Sequence, residues 1–170
     1  MSDDVMAEFP FHVGIATPDV GALLASLGPT PGATWVDLPR PAVPHATPDG
    51  PVTPSSRVVW SSAGPFHTEV LQAEPGTVYD PRRGTHVHHL GYWADDVAAA
   101  VAAREADGWS LEVTMFDDDR RPSSFAYMSP PGMSPPGMSP HGPSSVGEPW
   151  IELIDRANRE WLEALLRGDV

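Results

Sequence analysis

Two histidines and two glutamates recur at matched places along this 170-residue chain, and together they are its most chemical feature. His12 lies in Phe11-His12-Val13-Gly14-Ile15-Ala16 and His89 in His88-His89-Leu90-Gly91-Tyr92-Trp93. The two stretches, with Asp19-Val20 and Asp96-Val97 behind them, stay in register at an offset of 77 residues. Glu69-Val70-Leu71-Gln72 matches Glu152-Leu153-Ile154-Asp155 in the same way, at an offset of 83. Two imidazoles and two carboxylates suit a divalent ion such as Zn, Ni, Co, Fe or Mn, and leave coordination positions open for a substrate oxygen.

The elements that must position these groups follow from pattern and punctuation. Phe11 to Ala16 reads as a strand. Thr17 is the expected N-cap of a helix with Pro18 at its first position, and Val20, Leu23, Leu24 and Leu27 form its apolar stripe. Ala33 to Leu38 reads as a short strand. Six prolines between 39 and 56 predict a long surface connection. Arg57 to Ser61 and Phe66 to Ala73 then read as strands joined at Ala63-Gly64-Pro65. The second half repeats the plan: strand Val87 to Trp93, helix Val97 to Ala106 capped at Ala94-Asp95-Asp96, and strands Trp109 to Phe116, Ser123 to Met128 and Pro149 to Asp155. A last amphipathic helix, Asn158 to Leu166, carries Trp161, Leu162, Leu165 and Leu166. A five-residue repeat, Met-Ser-Pro-Pro/His-Gly, is written three times from Met128 and reads as a loop insertion in the second copy.

The chain is thus two copies of a strand–helix–three-strand module, each with a histidine on its first strand and a glutamate on its last. Side-chain alternation puts His67 on the face of Glu69, as a pocket residue or replacement ligand. It leaves His88 on the face opposite His89, and His86 outside.

Composition closes other routes. There is no cysteine, so no disulfide, thiolate ligand or thiol nucleophile. All ten basic residues are arginine, so lysine Schiff-base chemistry is absent. A net charge of −13 leaves no basic surface for nucleic acid. No apolar run approaches the roughly 20 residues of a membrane helix, and the acidic Met1-Ser2-Asp3-Asp4 is unlike an export signal; the expected location is the cytoplasm.

These stretches, together with Pro75-Gly76-Thr77 and the element order over roughly residues 9 to 156, resemble the vicinal oxygen chelate superfamily. That superfamily includes glyoxalase I, methylmalonyl-CoA epimerase, extradiol dioxygenases and bleomycin-resistance proteins. The resemblance implies an α+β fold of two βαβββ modules (9–79 and 86–156), eight strands curled into a half-barrel cleft, plus a C-terminal helix (157–170), as one compact domain. It implies a metal between the modules on His12, Glu69, His89 and Glu152, and a homodimer. The implied activity is that of a lyase, isomerase or epimerase acting by proton transfer beside a metal-bound carbonyl, with Glu69 or Glu152 as ligand and base together. His67, Trp93 and Tyr127 are the expected contacts to a small-molecule substrate, and Arg82 and Arg83 are placed to meet an anionic group. Two alternatives share the fold: an iron-dependent dioxygenase using His12 or His67 with His89 and Glu152, and a non-catalytic drug-binding protein.

Overall fold

The computed structural model describes residues 9–28, 34–38, 44–132 and 149–169. Its elements run in the order β1 (His12–Thr17), α1 (Val20–Leu27), β2 (Trp35–Asp37), β3 (Val58–Ser61), β4 (His67–Gln72), β5 (His86–Ala94), α2 (Val97–Ala106), β6 (Ser110–Phe116), β7 (Pro122–Ser129), β8 (Trp150–Asp155) and α3 (Arg159–Arg167). The fold is α+β, with the strands in one eight-stranded mixed sheet of order β2-β3-β4-β1-β5-β8-β7-β6. β1 and β5 pair antiparallel at the centre, and each pairs parallel on its outer side with the last strand of its own half, β4 and β8. The sheet is an open half-barrel in which the two halves meet along one seam.

Both main helices begin on the aspartate that the repeat shares. Asp19 Oδ1 accepts from Ala22 N at 2.8 Å and Asp96 Oδ1 from Ala99 N at 3.0 Å. Thr17 is therefore not the cap; it is still in β1, and its Oγ1 accepts from the Asp19 amide. One face of the sheet packs against α1 through Val20, Val59 and Val70, and against α2 through Val97, Ala100 and Val101 with Ala126, Met128 and Leu153. The other face carries Phe11, Trp60, Leu71, Tyr79, Trp93, Tyr127 and Trp150, and α3 closes over part of it with Leu162 and Leu166. Trp161 departs from the expected stripe and is 51% exposed, because α3 has a sheet on one side only.

The proline-rich connection is more than a surface excursion. His45 bridges Val52 around a turn at Thr47–Gly50, and Ala46 exchanges backbone hydrogen bonds of 2.8 and 3.1 Å with Thr114 of β6. The first half thereby reaches across to the far edge strand of the second. Its return is anchored where the Glu74 carboxylate accepts from the Ser55 amide and from Ser55 and Ser56 hydroxyls. Most of the Met-Ser-Pro repeat lies outside the described residues.

At the seam, Gly14 faces His89 and Gly91 faces His12. A Cβ on Gly91 would stand 1.7 Å from the His12 ring, and one on Gly14 would stand 2.0 Å from the His89 ring. Both imidazoles are fully buried and have no room to retreat, so Gly91→Ala is expected to cost about 1–3 kcal/mol, as overpacked cores do. Urea denaturation reads this as a lowered midpoint, and an unchanged midpoint would show that the seam can yield.

Candidate metal centre between the two halves

Cross-strand register explains how the four groups meet. One row across the sheet runs Trp60, Glu69, Gly14, His89, Trp150; the next runs His67, His12, Gly91, Glu152, Tyr127. Partners in a row share a face. Each row therefore sets a histidine from one strand and a glutamate from another on either side of a glycine, and the missing side chain lets the rings lean inward.

The result is four buried donors around one point. His12 and His89 are 0% exposed, Glu69 4% and Glu152 6%. His12 Nε2 lies 3.0 Å from Glu152 Oε2 and 3.7 Å from Glu69 Oε2. His89 Nε2 lies 3.0 Å from Glu69 Oε2 and 3.2 Å from Glu152 Oε2. The two Nε2 atoms are 2.9 Å apart, and all four donor atoms fall within 4.8 Å of one another. Each histidine approaches most closely the glutamate of the other half.

This is poor hydrogen bonding and a good cation cage. Two Nε2 atoms in contact can share at most one hydrogen, and both Oε2 atoms lack a partner in hydrogen-bond geometry. Bonds of about 2.1 Å to a single ion hold neighbouring donors about 3.0–3.4 Å apart, close to the 2.9–3.2 Å separations here, with the 3.7 Å between His12 and Glu69 the one that must tighten. The residues present fit a divalent ion.

Without the ion, a proton must stand in. Burial alone would strip the charge from His89, but Glu152 and Glu69 outweigh it and raise the imidazole pKa to about 9. Burial likewise pushes the Glu152 carboxyl up, and His89 and His12 overcome that to hold it far below the usual carboxylate range. Two buried carboxylates this close cannot both stay ionised without a positive charge between them.

Other expected residues fall around the cluster. His67 is not among the four; its Nδ1–H donates to Ser61 O at 2.9 Å, and its ring lines a cavity of about 330 Å³. Trp93 stacks on Phe11 with ring centroids 3.8 Å apart and lines the same cavity. Tyr127 is fully buried, accepts from Tyr79 Oη at 2.9 Å, and lies against the His89 ring. Arg82 is held by Asp80 and turned to solvent; the arginines at the cavity are Arg159 and Arg167 of α3. Sequence reasoning missed these, because nothing in the α3 stripe says which element it covers.

His88 does not point to the opposite face. β1 residue Gly14 pairs with His89 and Ile15 with Val87, so His88 sits in a bulge and turns to the same side as His89. It is 3% exposed and walled by Tyr79, Tyr127 and Trp150. Burial, with His89 and His86 beside it, pushes its pKa well below the ordinary histidine value and keeps it neutral.

Residues 11–127 match the family described as the Glyoxalase/Bleomycin resistance protein/Dioxygenase superfamily. The chain belongs to that superfamily. Its members usually bind a divalent metal and small-molecule ligands. Among solved structures, the chain is similar to methylmalonyl-CoA epimerase from Mycobacterium tuberculosis, at 16% identity over 95% of this chain and 97% of that one, with a TM-score of 0.57. A hypothetical protein from Bacillus halodurans C-125 is similar at 14% identity over 86% and 93%, with a TM-score of 0.52. A mutant 4-hydroxymandelate synthase from Streptomyces coelicolor is 18% identical with a TM-score of 0.48, and the chain spans 38% of that enzyme's length. At these identities the likeness is one of fold. No curated protein matches the chain by sequence. Among the described residues, no helix is long and apolar enough to cross a membrane.

Two results are expected of the centre itself. Protein purified without chelator should carry about one divalent ion per chain by elemental analysis, and His89→Ala should carry none; metal-free wild type after incubation with Zn, Ni, Co, Mn and Fe would sink the site. The second concerns protons. In the metal-free fold His89 keeps its proton to about pH 9, against 6.5 when unperturbed. The stability this contributes is therefore complete below pH 6.5 and lost as pH rises through 9. An ion needs the neutral ring, so loading near pH 7.5 should release about one proton from His89. Titration calorimetry in two buffers of different ionisation enthalpy reads the release, and identical heats would contradict it.

Proposed function

We propose that the protein is a divalent-metal-dependent lyase, isomerase or epimerase that moves a proton on the carbon beside a substrate carbonyl. The observation that carries this reading is the convergence of four buried donor atoms from both halves of the sheet on one point. A divalent ion held there supplies Lewis acidity to a carbonyl or vicinal oxygens and stabilises the charge that develops when the neighbouring proton leaves.

The chain's own residues divide the remaining work. Glu152 is within 3.2 Å of both imidazoles, which suits a fixed ligand. Glu69 is 3.0 Å from His89 but 3.7 Å from His12, the looser of the two carboxylates. Glu69 is therefore the better base: it can remain beside the reacting carbon and take or return the proton. The cavity beside the cluster holds the body of the substrate. None of the four donors lines it, but its wall residue Phe11 packs edge-on against the His12 ring with centroids 4.5 Å apart, and His67 pairs with His12 across β1 and β4, so the cavity is one side chain removed from the donor set. Phe11, Trp93, Leu162 and Leu166 give it apolar walls, and its volume is that of a small-molecule pocket.

Glu69 as a fourth close donor argues against the three-ligand dioxygenase arrangement, which leaves that position free. The stacked Phe11–Trp93 wall favours one second reading, sequestration of a planar ligand in the same cleft. The protein is proposed to act in the cytoplasm, as a homodimer.

Glu69→Gln separates the two readings. Proton transfer, followed by NMR as deuterium uptake from D₂O into a panel of acyl thioesters and α-hydroxy ketones, should fall by about 10²–10⁴. Binding of a planar aromatic ligand, read by tryptophan fluorescence, should be unaffected. Wild-type protein that binds the aromatic ligand and exchanges no proton in any of these substrates would leave sequestration as the function.

A further inference from the structure

The proposed reading has the cluster hold a metal, and resting on it, we infer that His88 is the positioning residue of the centre. Its Nδ1 accepts the Nδ1–H of His89 and so keeps the Nε2 lone pair of His89 turned to the ion site.

The geometry is specific. The bulge in β5 removes His88 from the β1 ladder and brings two consecutive imidazoles to one side of the strand. Their rings stand edge to face at 84°, with the two Nδ1 atoms 3.0 Å apart. One hydrogen lies between them. A neutral imidazole carries a single N–H, and His89 must offer Nε2 as a lone pair to bind an ion. Its hydrogen is then on Nδ1, where His88 Nδ1 is the acceptor. Ligating histidines characteristically donate their second nitrogen in this way, which fixes tautomer and ring orientation. Here a neighbouring imidazole takes the place of the usual carboxylate or carbonyl.

The arrangement also leaves a mark that simple packing would not. With Nδ1 accepting, the His88 hydrogen is on Nε2, and that atom is buried with no hydrogen-bond partner among the described residues. An orphaned buried donor costs stability, whereas an apolar side chain of similar size against Tyr79, Tyr127 and Trp150 would not. His88 is thus better explained by what it does for His89 than by filling space. Among the described residues the pseudo-symmetric His12 has no such partner, its Nδ1 being unpaired, so the support is given to one ligand of the pair.

Zinc and cobalt affinity, measured by competition with a chromophoric chelator, tests this in the full-length protein. His88→Leu should bind each metal about 10–100-fold more weakly while staying folded, since it removes the unpaired His88 Nε2–H and leaves the His89 Nδ1–H unpaired in its place. His88→Asn, whose Oδ1 can accept in place of Nδ1, should recover most of the loss. Independently of folding by any variant, ¹⁵N-histidine spectra of the wild type should show a proton on His89 Nδ1 with coupling to His88 Nδ1 across the hydrogen bond, in both metal-free and zinc forms. Wild-type affinity in folded His88→Leu, or a His89 proton found on Nε2 in the zinc form, would overturn the inference and leave the metal site standing. Failure of the wild type to bind either metal would instead remove the metal reading and this inference with it.

Discussion

Where β1 lies antiparallel against β5, each strand's histidine faces a glycine of the other, and the site depends on that exchange. The two imidazoles occupy the volume a side chain would have filled at Gly14 and Gly91. A slip of one residue in this register would turn the slipped strand's histidine to the helix-covered face and part it from the other. The parallel pairings outside the seam then set Glu69 beside Gly14 and Glu152 beside Gly91. The H-x-G motif is therefore a packing instruction written twice: the histidine supplies a donor, and the glycine makes room for the donor of the other copy.

Burying four titratable groups within 4.8 Å is costly unless positive charge holds them together. In the metal-free fold a proton on His89 does so; in the loaded protein the ion would replace it. This makes the cluster a poor stabiliser and a good binding site, since its donors are pre-arranged and their mutual repulsion is relieved by the cation. Unequal surroundings then separate the roles. Glu152 is pinned by both rings, Glu69 mainly by one, and His89 has a second imidazole behind it, which His12 lacks among the described residues.

The rest of the molecule serves the open face. α1 and α2 cover one side of the sheet, so that the other can remain a cleft lined by aromatic rings. The strap from His45 to Val52 ties the first half to the far edge of the second through Ala46 and Thr114. α3 takes up part of the cleft and forms one wall of the cavity with Leu162 and Leu166, opposite Phe11 and Trp93.

The sequence by itself determined the repeat, and with it the order of the elements, the α+β fold and the four residues that converge. Symmetric spacing survives because strand alternation and strand order are local and periodic properties. The aspartate caps were legible in the same repeat, where Asp19 matched Asp96, although Thr17 with Pro18 looked locally better. What tertiary structure alone decided were the departures from period: the bulge that turns His88 toward His89 against alternation, the Ala46–Thr114 bridge that pulls a proline-rich loop across the cleft, and the docking of α3. Each arises from contacts between segments far apart in the chain. A bulge is one residue that two strands fail to pair, and a helix stripe states that it needs a partner without stating which; such facts exist only once the partner is in place.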